Sequence, residues 1–420
     1  MILGRSSEIS GFYKLSPKDR LDKVKNFSGL NIEEANAIGS LSGLSMDGAD
    51  RMIENVIGAI SLPLGIACNF KINGLDYLVP MAIEEASVVA AASNSAKIAR
   101  DGGGFRTTNT GSVMIGQIQI VNIKEPHGAR MDLLSAKEDI LNKANEQDPF
   151  LVSLGGGAID LEVKIIETSI GSMLVSELIV DCKDAMGANA VNTMAEAVAP
   201  LVEEVTGGKV LLRIISNLAV KRLARAKAVF PKNSLGDSEV VDRIISAYAF
   251  AASDPYRCAT HNKGIMNGVI AVALATGNDT RALEAGAHSY AVKNGKYSPL
   301  SIWEKDEQND LVGTLEMPMA VGLVGGATAV HPISKLCVKI LNVKSAVELA
   351  EVMGAVGLIQ NVAALRALSV EGIQRGHMKL HARNIAASAG ATGEQVQEIA
   401  DKLVQEGKIR MDRAKELLEK

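Results

Sequence analysis

The chain has 420 residues, 47% of them apolar and 22% charged, a globular composition long enough for two or three cores. A formal charge of −4 and 3% aromatics leave no electrostatic footprint for nucleic acid or an anionic membrane and few rings for stacking bases. No apolar run is read as reaching the roughly 18 residues of a membrane span, and the N-terminus carries no apolar leader, so a cytoplasmic protein is expected. Cys68, Cys182, Cys258 and Cys337 are too scattered for a disulfide framework or a zinc site and are expected as reduced thiols.

In chain order, residues 1–44 predict short polar helices, with Ser16-Pro17 as cap and first helical residue. Residues 45–58 predict an amphipathic helix striped by Ala49, Met52, Ile53, Val56 and Ile57, with Glu54 in its last turn; a lone Glu there is usually a solvated face. Asn73-Gly74 marks a two-residue hairpin turn. The small-residue stretch 84–104 predicts a tightly packed helix ended by Gly102 to Gly104.

From Thr107 the pattern changes to strand (112–123), helix (129–146), two strands (158–168 and 172–182), helix (187–205) and strand (209–216). That is the βαββαβ order of a ferredoxin-like unit with helices on one face of an antiparallel sheet. The predicted fold is therefore α+β: a large, mostly helical domain from residues 1–106 and 218–371, a small domain inserted at 107–217, and a C-terminal helical flap at 372–420. Beyond Asn217 the chain is expected to be helical as far as Val370, apart from a β interruption at 311–326. In the flap, Thr392 and Gln395 form an expected capping-box pair ahead of two amphipathic helices.

The stretch 255–279 organises the large domain. Between Gly264 and Thr276 it is apolar on nearly every face, as in a helix buried all round. Arg257, His261, Asn262 and Lys263 crowd its start, while Gly277, Asn278 and Asp279 close its end. Lys263 is expected in the first turn, against the helix dipole, and a residue placed against local preference hints at function. Asp279 also suits a cap for the next helix.

Several familiar motifs are absent. Gly155-Gly156-Gly157 is followed by Ala-Ile-Asp, so it is no dinucleotide fingerprint, and no phosphate-binding G-x-x-x-x-G-K-[ST] occurs. His377 and His381 stand four apart, but Met378 replaces the Glu of a zinc hydrolase, and no metal is expected. The stretch DAMGAN (184–189) is either a seat for phosphate at a helix N-terminus or a plain helix start capped by Asp184.

ENVIG (54–58), DAMGAN (184–189), DPYRCATHNKGIMNG (254–268), ATGND (275–279) and EGIQRGHMKLHARN (371–384) occur together in the order and spacing of the 3-hydroxy-3-methylglutaryl coenzyme A (HMG-CoA) reductase family. The chain closely resembles the soluble, prokaryotic second class of that family over essentially its whole length. The resemblance implies an NAD(P)-dependent oxidoreductase that interconverts (S)-HMG-CoA with (R)-mevalonate and CoA. Two hydride transfers pass through a thiohemiacetal and mevaldehyde, in a homodimer with the active site at the subunit interface. The same site run oxidatively is the first alternative; a non-catalytic dimer that binds CoA derivatives is the second.

By the same resemblance Glu54, Lys263, Asp279 and His377 match the catalytic residues, and Arg257, Asn217 and Asn267 match positions near the substrate. Asp184, Met186, Gly187 and Asn189 match the cofactor motif. Asp148 matches a position where NAD-preferring members carry an acid, so NAD(H) is expected over NADP(H). The chemistry suits these residue types: Lys263 would stabilise the developing oxyanion, Glu54 would protonate it, Asp279 would tune both, and His377 would give the leaving thiolate its proton. Lys263 and Asp279 are 16 positions apart, about 24 Å along a continuous helix. If both act in one site, they must meet across a two-fold axis.

Overall fold

The computed structural model describes residues 6–41, 43–370 and 373–419, without the side chains of 373–380. Three short helices, α1 (Pro17–Ser28), α2 (Ile32–Gly39) and α3 (Met46–Asp50), precede the hairpin β1 (Leu64–Ile72) and β2 (Leu75–Ala82), which turns at Asn73-Gly74 with both residues at positive φ. Helix α4 (Val88–Asp101) and strand β3 (Phe105–Asn109) follow. Then come β4 (Val113–Val121), α5 (Pro126–Ser135), α6 (Lys137–Asn145), α7 (Pro149–Ser153), β5 (Gly157–Thr168), β6 (Gly171–Asp181), α8 (Ala188–Thr206) and β7 (Lys209–Ile215). The chain continues through β8 (Leu223–Phe230), α9 (Lys232–Leu235), α10 (Ser238–Ser253), α11 (Pro255–Ala275), α12 (Thr280–Tyr290), β9 (Ser301–Lys305) and β10 (Leu311–Pro318). It ends in α13 (Gly326–Val330), α14 (Pro332–Leu341), α15 (Ala346–Val370), α16 (Ile373–Ser388), α17 (Gln395–Gln405) and α18 (Met411–Leu418).

The strands form two sheets. The smaller has the order β5-β6-β4-β7 with antiparallel neighbours throughout, and α5, α6 and α8 pack on it over their own core of Ile118, Leu133, Ile140, Leu178 and Val198. Its strands and helices follow the expected βαββαβ order except that three helices, α5 to α7, stand where one was expected over 129–146. The larger sheet, β2-β1-β3-β8-β10-β9, was not anticipated at this extent. Segment β8 was expected to be helical, but LARAKAVF alternates buried and exposed residues along its length, the period-two signature of a strand. Strand β3 pairs with β8 in this sheet, so residues 107–109 belong with the large sheet and not with the insertion.

Helices α4, α10, α11 and α15 cover the large sheet and share one core. Helix α11 lies against α15 where Gly268 and Gly357 leave room: a Cβ on Gly268 would stand 3.0 Å from Gln360 and Val356, and one on Gly357 3.0 Å from Val269. Such close approach fixes the axial position of α11, because cores packed like crystals do not yield by ångströms. The sequence reading that no run could cross a membrane needs amendment. Helix α15 is long and apolar enough by length and composition, but most of it is buried inside the protein.

Two further local expectations are corrected. The helix expected over 45–58 stops at Asp50, and Ile53, Ile57 and Ile60 are exposed beyond it. Helix α17 begins at Gln395 after Glu394, with no side-chain cap, so Thr392 and Gln395 form no capping box. All four cysteines are free and buried, and burial pushes their thiols up, to about 12 for Cys68, Cys182 and Cys337 and about 11 for Cys258.

Helix α12 is fastened to the large sheet by Glu316, whose carboxylate accepts from the Tyr290 hydroxyl, from Arg225 Nε at 2.7 Å and from Lys293 Nζ at 3.2 Å. The Tyr290 hydrogen bond chiefly, then the two cations, outweigh burial and hold this carboxyl down to about 2 against an ordinary 4.5. A depressed carboxyl stabilises the fold fully above its unfolded pKa and loses that contribution as pH falls through the folded value. The melting temperature will therefore fall as pH drops from 4.5 towards 2, and Glu316→Gln will flatten that part of the profile. A thermal melt at each pH reads this directly; equal slopes in the two proteins would contradict it.

Candidate functional site

Helix α11 is one unbroken helix from Pro255, with Asp254 as N-cap accepting from the Arg257 N–H at 2.7 Å and Pro255 in the first turn. This moves Lys263 out of the first turn and into the third, where the dipole argument does not apply. The Asp-Pro pair ahead of Tyr256 was the signal for the earlier start. Arg257 is the cation in the first turn, and burial pulls its guanidinium below its ordinary value.

The polar residues of α11 divide between two faces. His261 and Asn262 point into the fold. Trp303 Nε1 and Ser301 Oγ both donate to Asn361 Oδ1, at 2.7 and 2.9 Å, so Ser301 Oγ is left to accept from His261 Nε2 at 2.8 Å. That fixes the Nε2–H tautomer, and burial, with Arg257 adding to it, lowers this imidazole to about 3. His261 is thus a neutral anchor. Asn262 binds the Ser298 carbonyl and the Leu300 N–H, each at 3.0 Å.

Lys263 takes the other face, its side chain 60% exposed. Asn267, four residues on, shares that face. The carboxylate that meets Lys263 is Glu85, at 3.1 Å, in the bend between β2 and α4. Glu54 is not that partner: it lies in an exposed turn after α3, because the helix that was to carry it ends four residues earlier. Sequence reasoning took Glu84 and Glu85 as the start of a packed helix. The usable signal was an acidic pair at a strand-to-helix junction, a place where loops carry function.

Beside Lys263, Gly264 would bring a Cβ to within 4 Å of nothing. A glycine inside a helix costs about 0.8–1 kcal/mol relative to alanine, and no neighbour among the described residues requires it here. Gly264→Ala will raise the melting temperature and at the same time weaken binding of whatever occupies the space next to Lys263. A thermal melt with a substrate KM on the same preparation checks both; a stabilised variant with unchanged KM would show that the space is unused.

Asp279 lies past the other end of α11. The helix stops at Ala275, Gly277 turns the chain at φ 69°, and Asp279 caps α12 by accepting from Arg281 and Ala282 N–H at 3.0 and 3.1 Å. About 18 Å of helix separates Lys263 from Ala275. The expected helix to Asp279 is therefore shorter by its last residues, yet Asp279 still lies past the far end of α11 from Lys263. Asn217 lies against the middle of α12, the helix that Asp279 caps: its carbonyl would lie 2.7 Å from a Cβ on Gly286.

The loop 184–189 is tied to the same end. Asn278 Oδ1 accepts from Gly322 N–H at 2.7 Å, and the Asp184 carbonyl accepts from Leu323 N–H at 2.8 Å. Asp184 is not the cap of α8; its carboxylate accepts from the Ala346 N–H at 2.7 Å, at the start of α15. Gly187 holds the N-cap position of α8 at φ 112° with no side-chain cap, and a Cβ there would lie 2.5 Å from Cys182 Sγ. Met186 is half-buried just ahead of it and Asn189 is exposed in the first turn. The uncapped N–H groups of a long helix beside a required glycine fit a phosphate-bearing cofactor. Asp148 caps α7 by accepting from Leu151 N–H at 2.8 Å. His377 lies outside the described side chains.

The fold defines an α+β protein in which a small antiparallel sheet with its helices is inserted between β3 and β8 of a larger, helix-covered sheet. A family model, hydroxymethylglutaryl-coenzyme A reductase, matches residues 16–382, and the chain belongs to that family of oxidoreductases. It is 62% identical to the 3-hydroxy-3-methylglutaryl-coenzyme A reductase of Archaeoglobus fulgidus over 99% of this chain and 95% of that one. It is 38% identical to the probable reductase of Borreliella burgdorferi over 91% and 84%. Among solved structures it is similar to the class II enzyme of Streptococcus pneumoniae bound to NADPH in open conformations, with a TM-score of 0.83, 40% identity and coverage of 96% and 99%.

Proposed function

We propose that this chain reduces (S)-HMG-CoA to (R)-mevalonate and CoA with two hydrides from a nicotinamide cofactor, working as a homodimer. The observation that carries the reading is the Lys263–Glu85 pair on the open face of α11. An exposed ion pair adds little to stability, so its placement beside Gly264 is explained by chemistry. When bound, the nicotinamide supplies hydride. Lys263 Nζ stabilises the negative charge that develops on the carbonyl oxygen. Glu85, in the role first assigned to Glu54, takes up a proton from solvent and passes it to this oxygen. Arg257, in the first turn of the same helix, holds the substrate carboxylate, and Asn267 lies one turn beyond Lys263. His377 on α16 gives the departing thiolate its proton.

Within one chain Lys263 and Glu85 stand together partway along α11, and Asp279 and the loop 184–189 stand past its C-terminal end, beyond about 18 Å of helix. A complete site therefore draws its ends from two subunits related by a two-fold axis. The exposed Ile53, Ile57 and Ile60 are apolar surface of the kind that subunits cover. The cofactor preference rests on Asp148, whose carboxylate caps α7 and is available to a ribose hydroxyl but repels a 2′-phosphate; NAD(H) is favoured on that ground. Residues 110–217 are the cofactor domain, 6–109 and 218–370 the substrate and dimerisation domain, and the C-terminal helices from 373 the flap, in a cytoplasmic protein.

The test is direct. The purified protein, mixed with the thioester and NADH or NADPH, will oxidise two cofactors per thiol released, with the higher kcat/KM for NADH. Absence of turnover would refute the function, and a clear preference for NADPH would refute the role of Asp148.

A further inference from the structure

Arg222, at the entry to β8, is 2% exposed, and among the described residues no salt bridge reaches it. Among the described residues its guanidinium donates to backbone carbonyls alone: Nη1 to Ala185 and Met186 at 3.0 and 3.1 Å, and Nη2 to Val321 at 2.5 Å. A buried cation is costly unless its donors are satisfied, and here two separate segments satisfy them. One is the loop 185–186 that leads into α8. The other, 319–324, holds Asn278 through the Gly322 N–H and is returned to Arg222 by the Met319 N–H, which donates to the Arg222 carbonyl at 2.9 Å.

The trans peptide gives this arrangement a direction. In a planar peptide the C=O and the following N–H point opposite ways. Drawing the Ala185 and Met186 carbonyls onto the guanidinium therefore turns the N–H groups of Met186 and Gly187 away from it. Met186 N packs on Gly322, where a Cβ would come within 2.6 Å, and Gly187 N–H is left on the side of the uncapped start of α8. One side chain thus orients the amides of the cofactor loop and fixes that loop against the segment holding Asn278, next to Asp279.

We propose that Arg222 is a positioning residue that joins the cofactor loop to the Asp279 end of α11, so that cofactor binding orders both. It touches neither cofactor nor substrate, and the inference rests on reading 184–189 as the cofactor site. Arg222→Met will raise the cofactor KM about tenfold or more and lower kcat, since small misplacements of a binding loop carry such penalties. Binding of the thioester alone will stay within about twofold. Arg222→Lys, which keeps the charge but not the planar fork, will recover part of the loss. A purely structural role would lower the melting temperature without this split. Hydrogen exchange on the unaltered protein provides a test that does not depend on either variant folding. NADH will protect amides at 185–189 and also at 278–279 and 321–324. Protection confined to 185–189 would overturn the inference while leaving the cofactor site in place. No protection at 185–189 would overturn the cofactor reading and the inference with it.

Discussion

Lys263→Ala will abolish measurable thioester reduction while leaving the fold and the thioester affinity nearly intact. Removing one preorganised donor to a developing oxyanion costs about 10²–10³-fold in kcat, and a full cation in the path of two successive hydride transfers will cost at least that much. The substitution is structurally mild, because the side chain is 60% exposed and its one described partner is Glu85 at 3.1 Å. Circular dichroism and the melting temperature will be close to those of the parent. Single-turnover absorbance of the nicotinamide separates the chemical step from binding; a variant that turns over at the parent rate would remove Lys263 from the mechanism.

Mixed dimers give the second large effect. Lys263→Ala and Asp279→Asn, each inactive alone, will regain activity when the two chains are co-expressed or refolded together. Random pairing makes half of the dimers mixed, each with one intact site, so about a quarter of the parent activity will return. The physical basis is the unbroken α11 and the turn at Gly277, which keep the two residues apart by about 18 Å of rigid helix within one chain. No recovery would mean that the site is assembled from a single subunit.

The central helix was legible in the sequence because its apolar residues are continuous and its ends are polar, and the small sheet was legible because its strands alternate and its turns carry glycine. The large sheet was harder. Five of the eight residues of strand β8 are alanine, arginine or lysine, types with little strand preference, and its partners β3 and β10 lie more than 80 residues away on either side. Tertiary pairing decided its conformation. The candidate site divided along the same line. Lys263, Asp279 and the 184–189 loop sit at helix ends or in distinctive local motifs. Glu85 becomes meaningful only when β2 and α11 are side by side, a contact that no local pattern records. Glu54 had a motif but lost its helix, since Ile53 and Ile57 of its stripe are left exposed and Met52 only half-buried on this chain.

The account therefore turns on which carboxylate serves Lys263, and kcat measured on Glu85→Gln beside Glu54→Gln tests it most directly. Loss of a general acid costs about 10²–10⁴-fold. Glu85→Gln will show a loss of that size with the thioester KM little changed, and Glu54→Gln will stay within a few-fold of the parent. The reverse order, a collapse on changing Glu54 and near-normal turnover on changing Glu85, would contradict the assignment.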